Sequence, residues 1–211
     1  MAEQQRPAAI GSMTVAALLD GLGGKTPVPG GGAVASIVGA LAGALGRMVV
    51  AYSVGRRSLA EHAELHERAQ PELERFASLL IGLADEDAAA YAELNAAFGL
   101  AKDDPARAKA IADGAALAIQ PPRAVLAACV ALARLLAELC GKSNAMLASD
   151  LAIAGLLAEA GGRSAWHNVA VNLPLIGDDA TRDALAAESD SLLRELEGLA
   201  GSIAEACTPA R

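Results

Sequence analysis

The sequence predicts an all-α protein, an antiparallel bundle of about seven helices in a single domain. Three observations predict it. Apolar residues make up 54% of the 211 residues while aromatics contribute 2%. Alanine and then leucine fill the difference, and these are the strongest helix formers. Strand-forming β-branched and aromatic runs are scarce; residues 169–173 come nearest to a strand and read equally well as helix. The helical segments also follow one another through short connections, as in a bundle.

The elements read in order. Residues 1–11 form a flexible tail, and residues 12–211 form one helical domain. Ser12 is a candidate N-cap for a short amphipathic helix over 13–22. A Gly/Pro loop over 23–32 ends in Gly30-Gly31-Gly32 and opens into an apolar helix from Ala33 to about Val54. Ser58 caps a long helix running to Phe98, with Pro71 bending or breaking it. Asp104-Pro105 is a start signal for a helix to about Gln120. Pro121-Pro122 separates that helix from the next, 123–139, which Gly141 stops. Helical patterns follow at 145–160, at 164–175 and finally at 179–207.

Composition and charge exclude several classes. The net charge is −8, and no basic stripe or Arg-rich tail appears, so nucleic acid is not an expected partner. Cys129, Cys140 and Cys207 are scattered and odd in number, which fits a reducing compartment rather than a disulfide framework. The first twelve residues carry no apolar signal core; a cytoplasmic location is expected. The segment 33–54 approaches the length and hydropathy of a membrane span. Arg47 falls inside it and Gly39, Gly43 and Gly46 interrupt it, so a buried helix packed through small residues is expected instead. Such a helix, with an alanine-rich core, suits close packing across a subunit boundary.

Polar residues on apolar faces mark the candidate site. Leu80, Leu83, Asp87, Tyr91, Leu94 and Phe98 form one helical stripe. A carboxylate there needs either a basic partner or a chemical role, because burying it unpaired is costly. Asp85 lies on another face and is expected at solvent or a subunit boundary. Asp150 shares a stripe with Leu147, Ala154 and Leu157; it either caps a neighbouring helix end or serves a ligand. Asn144 and Ser149 precede it. Asn168 and Asn172, at i and i+4, share a helix face. They either read a heterocycle edge or tie two helices together, and the tie is the simpler reading. The triglycine run ahead of a helix suits a flat or anionic ligand approaching the backbone.

Two other patterns are set aside. Gly24-Lys25-Thr26 resembles the end of a phosphate-binding loop, but Leu19 holds its first glycine position and no strand precedes it. His62 and His66 are spaced i, i+4 without a third ligand, so a solvated helix face is expected there and no metal.

Together these residues resemble the formimidoyltetrahydrofolate cyclodeaminase and methenyltetrahydrofolate cyclohydrolase family over roughly 13–207. The resemblance rests on Pro29-Gly30-Gly31-Gly32 with the small-residue helix ending Arg47-Met48-Val49, on Gly55-Arg56-Arg57, and on the acidic stretch from Asp85 to Tyr91. Pro122, Asn144 with Ser149-Asp150, and Asn168-Val169 with Asn172-Leu173 complete it. Ala33 departs from the serine or glycine of many members, and Leu100-Ala101-Lys102 from their Leu-Pro-Lys.

The resemblance implies a homodimer with a folate pocket near the subunit interface and neither metal nor redox cofactor. It implies hydrolysis of 5,10-methenyltetrahydrofolate to 10-formyltetrahydrofolate, or alternatively cyclodeamination of 5-formimidoyltetrahydrofolate with ammonia release. The absence of a formimidoyltransferase segment favours the first. A non-catalytic helical scaffold is the rival from another class. On this reading Asp87 is the acid–base group with Tyr91 orienting it. Asp150, counted with them among the catalytic residues, holds the pterin edge with Asn168 and Asn172; Asn144 and Ser149 also bind substrate, and Gly30, Gly31 and Gly32 admit the ligand to the backbone. Arg56, Arg57 or Lys142 meets the glutamate tail.

Overall fold

In the computed structural model, residues 9–208 are described. Among them there are only helices and connections, and seven α-helices are numbered here in chain order. They are α1 (Val15–Gly23), α2 (Gly31–Ala51), α3 (Ala63–Phe98), α4 (Arg107–Ala118), α5 (Gln120–Glu138), α6 (Ala148–Asn172) and α7 (Asp179–Cys207). Consecutive long helices alternate in direction, so the bundle is antiparallel as expected. Glycines report the registers. A Cβ on Gly32 would meet Asp87, one on Gly39 Leu80, and one on Gly43 Leu73 and Ala77, so α3 runs against α2. Gly31 faces Asn168 and Gly161 faces Ala35 and Gly39, so α6 also runs against α2. The core joins Val49, Val50, Leu73, Leu80, Leu126, Leu132, Leu136, Leu151 and Leu196.

Several boundaries differ from the sequence reading, each for a local reason. The first helix is capped by Thr14, whose hydroxyl accepts from the Ala17 N–H at 3.2 Å, rather than by Ser12. The predicted tail is partly ordered. Ile10–Ser12 forms a 3-10 turn, and Ile10 is buried with Ala33 and Ala84; the tail before Ala9 lies outside the described residues. A 3-10 turn at Arg57–His62 precedes α3, so Ser58 is not its cap, and α3 continues through Pro71. Asp104 Oδ1 accepts from the Ala106 N–H at 2.8 Å, just ahead of α4. Pro121-Pro122 open α5, where a missing N–H costs no helix bond. Gly141 ends the α5 hairpin with φ of 69°, a left-handed conformation that favours glycine.

The two helices expected over 145–160 and 164–175 are one, α6. Gly161 and Gly162 do not break it. A Cβ at Gly161 would come within 2.9 Å of the Ala35 carbonyl oxygen and the Gly39 nitrogen, and one at Gly162 would strike Leu196. These glycines permit contact between main chains. By length and composition three helical stretches, not one, suffice to cross a bilayer: 31–51, 107–138 and 145–175. The first packs between α3 and α6.

Candidate active site

The first turn of α2 forms the floor of the candidate site. Gly31 and Gly32 begin the helix, with Gly30 as its extended N-cap. Their missing side chains leave room for two polar groups from opposite sides. The Asp87 carboxyl group from α3 occupies the space where a Cβ of Gly32 would stand. From α6, the Asn168 amide lies 3.6 Å (Oδ1) and 4.0 Å (Nδ2) from the corresponding position on Gly31. The free N–H groups of a helix start are partially positive, so a carboxylate is favourably placed beside them.

Asp87 is half-buried, and among the described residues it has neither an ion-pair partner nor a side-chain hydrogen bond. Burial pushes its carboxyl above the ordinary carboxylate range, because desolvation disfavours the charged form. Beyond this point the apolar stripe that contains it is only partly covered. Leu80, Leu83 and Leu94 are buried, whereas Tyr91 and Phe98 are each 43% exposed. Tyr91 makes no side-chain hydrogen bond among the described residues, so in the single chain nothing ties it to Asp87.

Three expectations about neighbours are corrected. Asp85 does not face solvent: it is half-buried, and its Oδ1 accepts from the Ile10 N–H at 2.7 Å, fastening the first 3-10 turn to α3. Asn168 and Asn172 do not tie two helices. Asn172 Nδ2 donates to the Asn168 carbonyl at 2.9 Å within α6, leaving the Asn168 side chain turned to Gly31. The histidines do not lie on a solvated face. His66 is 2% exposed, its Nε2 is 2.7 Å from the Lys142 carbonyl oxygen, and His62 is the N-cap of α3.

The remaining predicted residues gather at the opposite end of the bundle. Asn144 is buried; its N–H donates to Ser53 Oγ at 2.9 Å and its Oδ1 accepts from the Met146 N–H at 3.2 Å. Ser53 Oγ in turn donates to the Val49 carbonyl at 2.7 Å. This latch joins the end of α2 to the turn before α6, and sequence reasoning passed over Ser53. Its signal was a lone hydroxyl closing an apolar helix. Ser149 is exposed and Asp150 half-buried, in the first turn of α6. Arg56 and Arg57 are exposed at the same end, with Arg56 Nε donating to the Tyr52 carbonyl at 2.9 Å. Asp150 and Asn168 are eighteen residues apart on one continuous helix, about 27 Å at 1.5 Å per residue. One chain therefore does not bring Asp87 and Asp150 to a common ligand.

Two clefts of the single chain lie away from Asp87. One, about 250 Å³, is lined by Arg123, Glu188 and Leu192 among others. The other, about 430 Å³, lies around His62, Arg68, Glu138 and Lys142. The cysteines, scattered in sequence, are partly reunited in space: Cys140 and Cys207 Sγ atoms are 3.9 Å apart, both as free thiols.

Comparison with known proteins gives this geometry its setting. The family model for formiminotransferase-cyclodeaminase matches residues 14–191. The chain is 33% identical over 196 residues to methenyltetrahydrofolate cyclohydrolase of Methylorubrum extorquens, spanning 90% of this chain and 89% of that protein. It is 31% identical over 178 residues to formimidoyltransferase-cyclodeaminase of Sus scrofa, of which it spans 33%. The crystal structure of formiminotetrahydrofolate cyclodeaminase from Thermotoga maritima superposes with a TM-score of 0.87 at 26% identity, over 93% of this chain and 96% of that one. The class defined by fold and relatives is that of the helical cyclohydrolase and cyclodeaminase enzymes of folate one-carbon chemistry. The chain belongs to the formiminotransferase-cyclodeaminase family.

Proposed function

We propose that the protein hydrolyses 5,10-methenyltetrahydrofolate to 10-formyltetrahydrofolate in the cytoplasm, using side-chain proton transfer without a metal or redox cofactor. The observation that carries this reading is the Asp87 carboxylate set against Gly32 at the start of α2. The reaction centre is a cationic amidinium carbon between N5 and N10. An anion beside it offsets that charge, and burial, by pushing the carboxyl pKa upward, makes it a better proton acceptor. Asp87 accepts a proton from the attacking water as the C–O bond forms. The hydroxyl on the tetrahedral carbon then gives up its proton as that carbon collapses to the formyl group and the C–N5 bond breaks; N5 takes up one proton and the other is released to solvent from Asp87. Asn168 holds a pterin edge beside Gly31, with Asn172 keeping the helix end in shape. The similarity to the Methylorubrum extorquens cyclohydrolase over nearly both full lengths favours this reaction.

On this reading the working unit is a homodimer with shared sites. The apolar surface of α2 and α6 suits a second copy: Val34, Leu41, Ile153 and Leu156 are exposed along it, and Tyr52 and Met146 stand at one end. A two-fold axis across these helices sets the start of one α2 beside the end of the other. Asn144, Ser149, Asp150 and the Arg56–Arg57 pair of one subunit then complete the pocket begun by the other's Gly31, Gly32, Asp87 and Asn168. Arg56 and Arg57 there meet the glutamate tail.

Cyclodeamination is the second reading, favoured by the Thermotoga maritima neighbour. Absorbance of the methenyl chromophore separates the two. Supplied with 5,10-methenyltetrahydrofolate, the purified protein bleaches the chromophore faster than buffer. Supplied with 5-formimidoyltetrahydrofolate, a cyclodeaminase generates the chromophore and ammonia. Failure to bind or turn over either compound marks a non-catalytic scaffold.

A further inference from the structure

Ser36 is the one hydroxyl within α2, a helix otherwise built of apolar residues, glycine and Arg47. It is completely buried. Among the described residues its Oγ is the sole buried side-chain polar atom without a hydrogen-bond partner. Such an orphan costs roughly 1–3 kcal/mol, so its retention asks for a purpose.

Helix geometry shows where it points. Ser36 follows Gly32 by four residues, about 40° around the axis and about 6 Å along it. Gly32, Gly39 and Gly43, which bracket it on the same strip, face Asp87, Leu80 and Leu73–Ala77 of α3. In that antiparallel register Ser36 lies opposite Leu83 and Ala84, one turn of α3 before Asp87. The carboxylate and the hydroxyl thus stand a single helical turn apart on facing helices. Two successive hydrogen bonds of about 2.8 Å cover such a gap, and buried waters characteristically serve otherwise unsatisfied polar groups.

We propose that Ser36 is a positioning residue for Asp87, its hydroxyl donating to a water that donates in turn to the carboxylate beneath Gly32. The inference rests on the reading of Asp87 as the acid–base group and supplies what holds it. A donor chain to the ionised form partly opposes the upward push of burial on Asp87. The other titratable groups at this end of α3 and on the segments beside it are few. Asp85, Glu86 and Tyr91 share its helix, Asp20 lies on α1, Lys25 in the loop before α2, and His167 next to Asn168 on α6. Between Gly31 and Gly46, α2 carries none.

The test compares the parent with S36A, S36T and D87N. The readouts are pH profiles of kcat and kcat/KM, and titration of the Asp87 side-chain carboxyl by 13C NMR. S36A should lower kcat about tenfold, the scale of one hydrogen bond to a charged group. Its KM should stay within twofold, its Tm should be no lower, and both the acid limb and the Asp87 midpoint should move to higher pH. S36T, which keeps the hydroxyl, should return the limb toward the parent's. An unchanged Asp87 midpoint and acid limb in S36A, with D87N inactive, overturns the Ser36 inference alone. Near-normal turnover in D87N overturns the acid–base reading instead, and the NMR midpoint then still decides whether Ser36 bonds to Asp87.

Discussion

The carboxyl group of Asp87 fills the place that a Cβ on Gly32 would take. The same glycine run leaves ordinary van der Waals room at its neighbour, where Asn168 stands 3.6 Å from a Cβ on Gly31. Gly31→Ala and Gly32→Ala should therefore differ sharply although they are adjacent. Steady-state kinetics should show G31A acting chiefly on KM, since that position borders the proposed pterin edge, and a loss of turnover of roughly 10² or more for G32A, since displacing a positioned acid–base group forfeits its contribution. Equal activities would remove Asp87 from the site.

Asp87→Asn should lower turnover by roughly 10² or more while preserving the fold. Its effect on stability has a definite sign. The folded protein holds the Asp87 proton more tightly than the unfolded chain does, because burial raises its pKa. Stability therefore falls as pH rises from the ordinary carboxylate value through the raised one, and the cost is complete above that window. The amide carries no such cost. Thermal melts should show D87N more stable than the parent at pH 7, with the difference vanishing as pH falls through the carboxylate range. A difference independent of pH would contradict the assignment.

Asp85 lies two residues away and does different work. Asp85→Ala removes the acceptor for the Ile10 N–H and should cost about 1 kcal/mol, visible as a lower Tm. Asp85→Asn keeps an oxygen that can accept and should be milder. Turnover should remain within a few-fold in both. Loss of activity in D85N with retention in D87N would reverse the roles of the two carboxylates.

Leu41 is 53% exposed on α2 and Leu156 52% exposed on α6. A charge on either should be harmless to a monomer and disruptive to a dimer that buries this face. Light scattering should find the parent dimeric or larger, with L41E and L156K shifted toward monomer and turnover lost in parallel. A monomeric, active parent would refute the shared site.

Mixed subunits give a sharper check. D87N and D150N should each be inactive alone. In a mixed dimer, one of the two sites draws both native carboxylates from different chains. Random exchange should thus restore about a quarter of parental activity. Continued inactivity after verified exchange would locate the whole site within one chain.

Much of the bundle was legible because local chemistry dictates it. Asp178 accepts from the Thr181 N–H at 2.8 Å, and α7 occupies the predicted 179–207. The inward-facing, half-buried position of Asp87 was legible from helical phase alone. The continuity of α6 was not: Gly161 and Gly162 read as a break locally and become contacts only when Ala35, Gly39 and Leu196 arrive from elsewhere in the chain. That error hid a second fact. Once 148–172 is one helix, arithmetic on its rise separates Asp150 from Asn168, and the motifs no longer fit one pocket in one chain. The roles of Asp85 and His66 were illegible for a similar reason, since their partners, Ile10 and the Lys142 carbonyl, are about 75 residues away. Apolar patterning carries no trace of such bonds.

The main-chain contact between Gly161 and the Ala35–Gly39 turn makes α6 a lever with its fulcrum near mid-span. Asn168 is seven residues, or about 10 Å, beyond that point. A single methyl group at position 161 would not stay a local defect. With backbone on the other side it has no flexible neighbour to displace, so the rod itself must tilt and carry the amide away from Gly31. Alignment of Asn168 against Gly31 is thus set at a point well removed from both, by the thickness of two bare backbones.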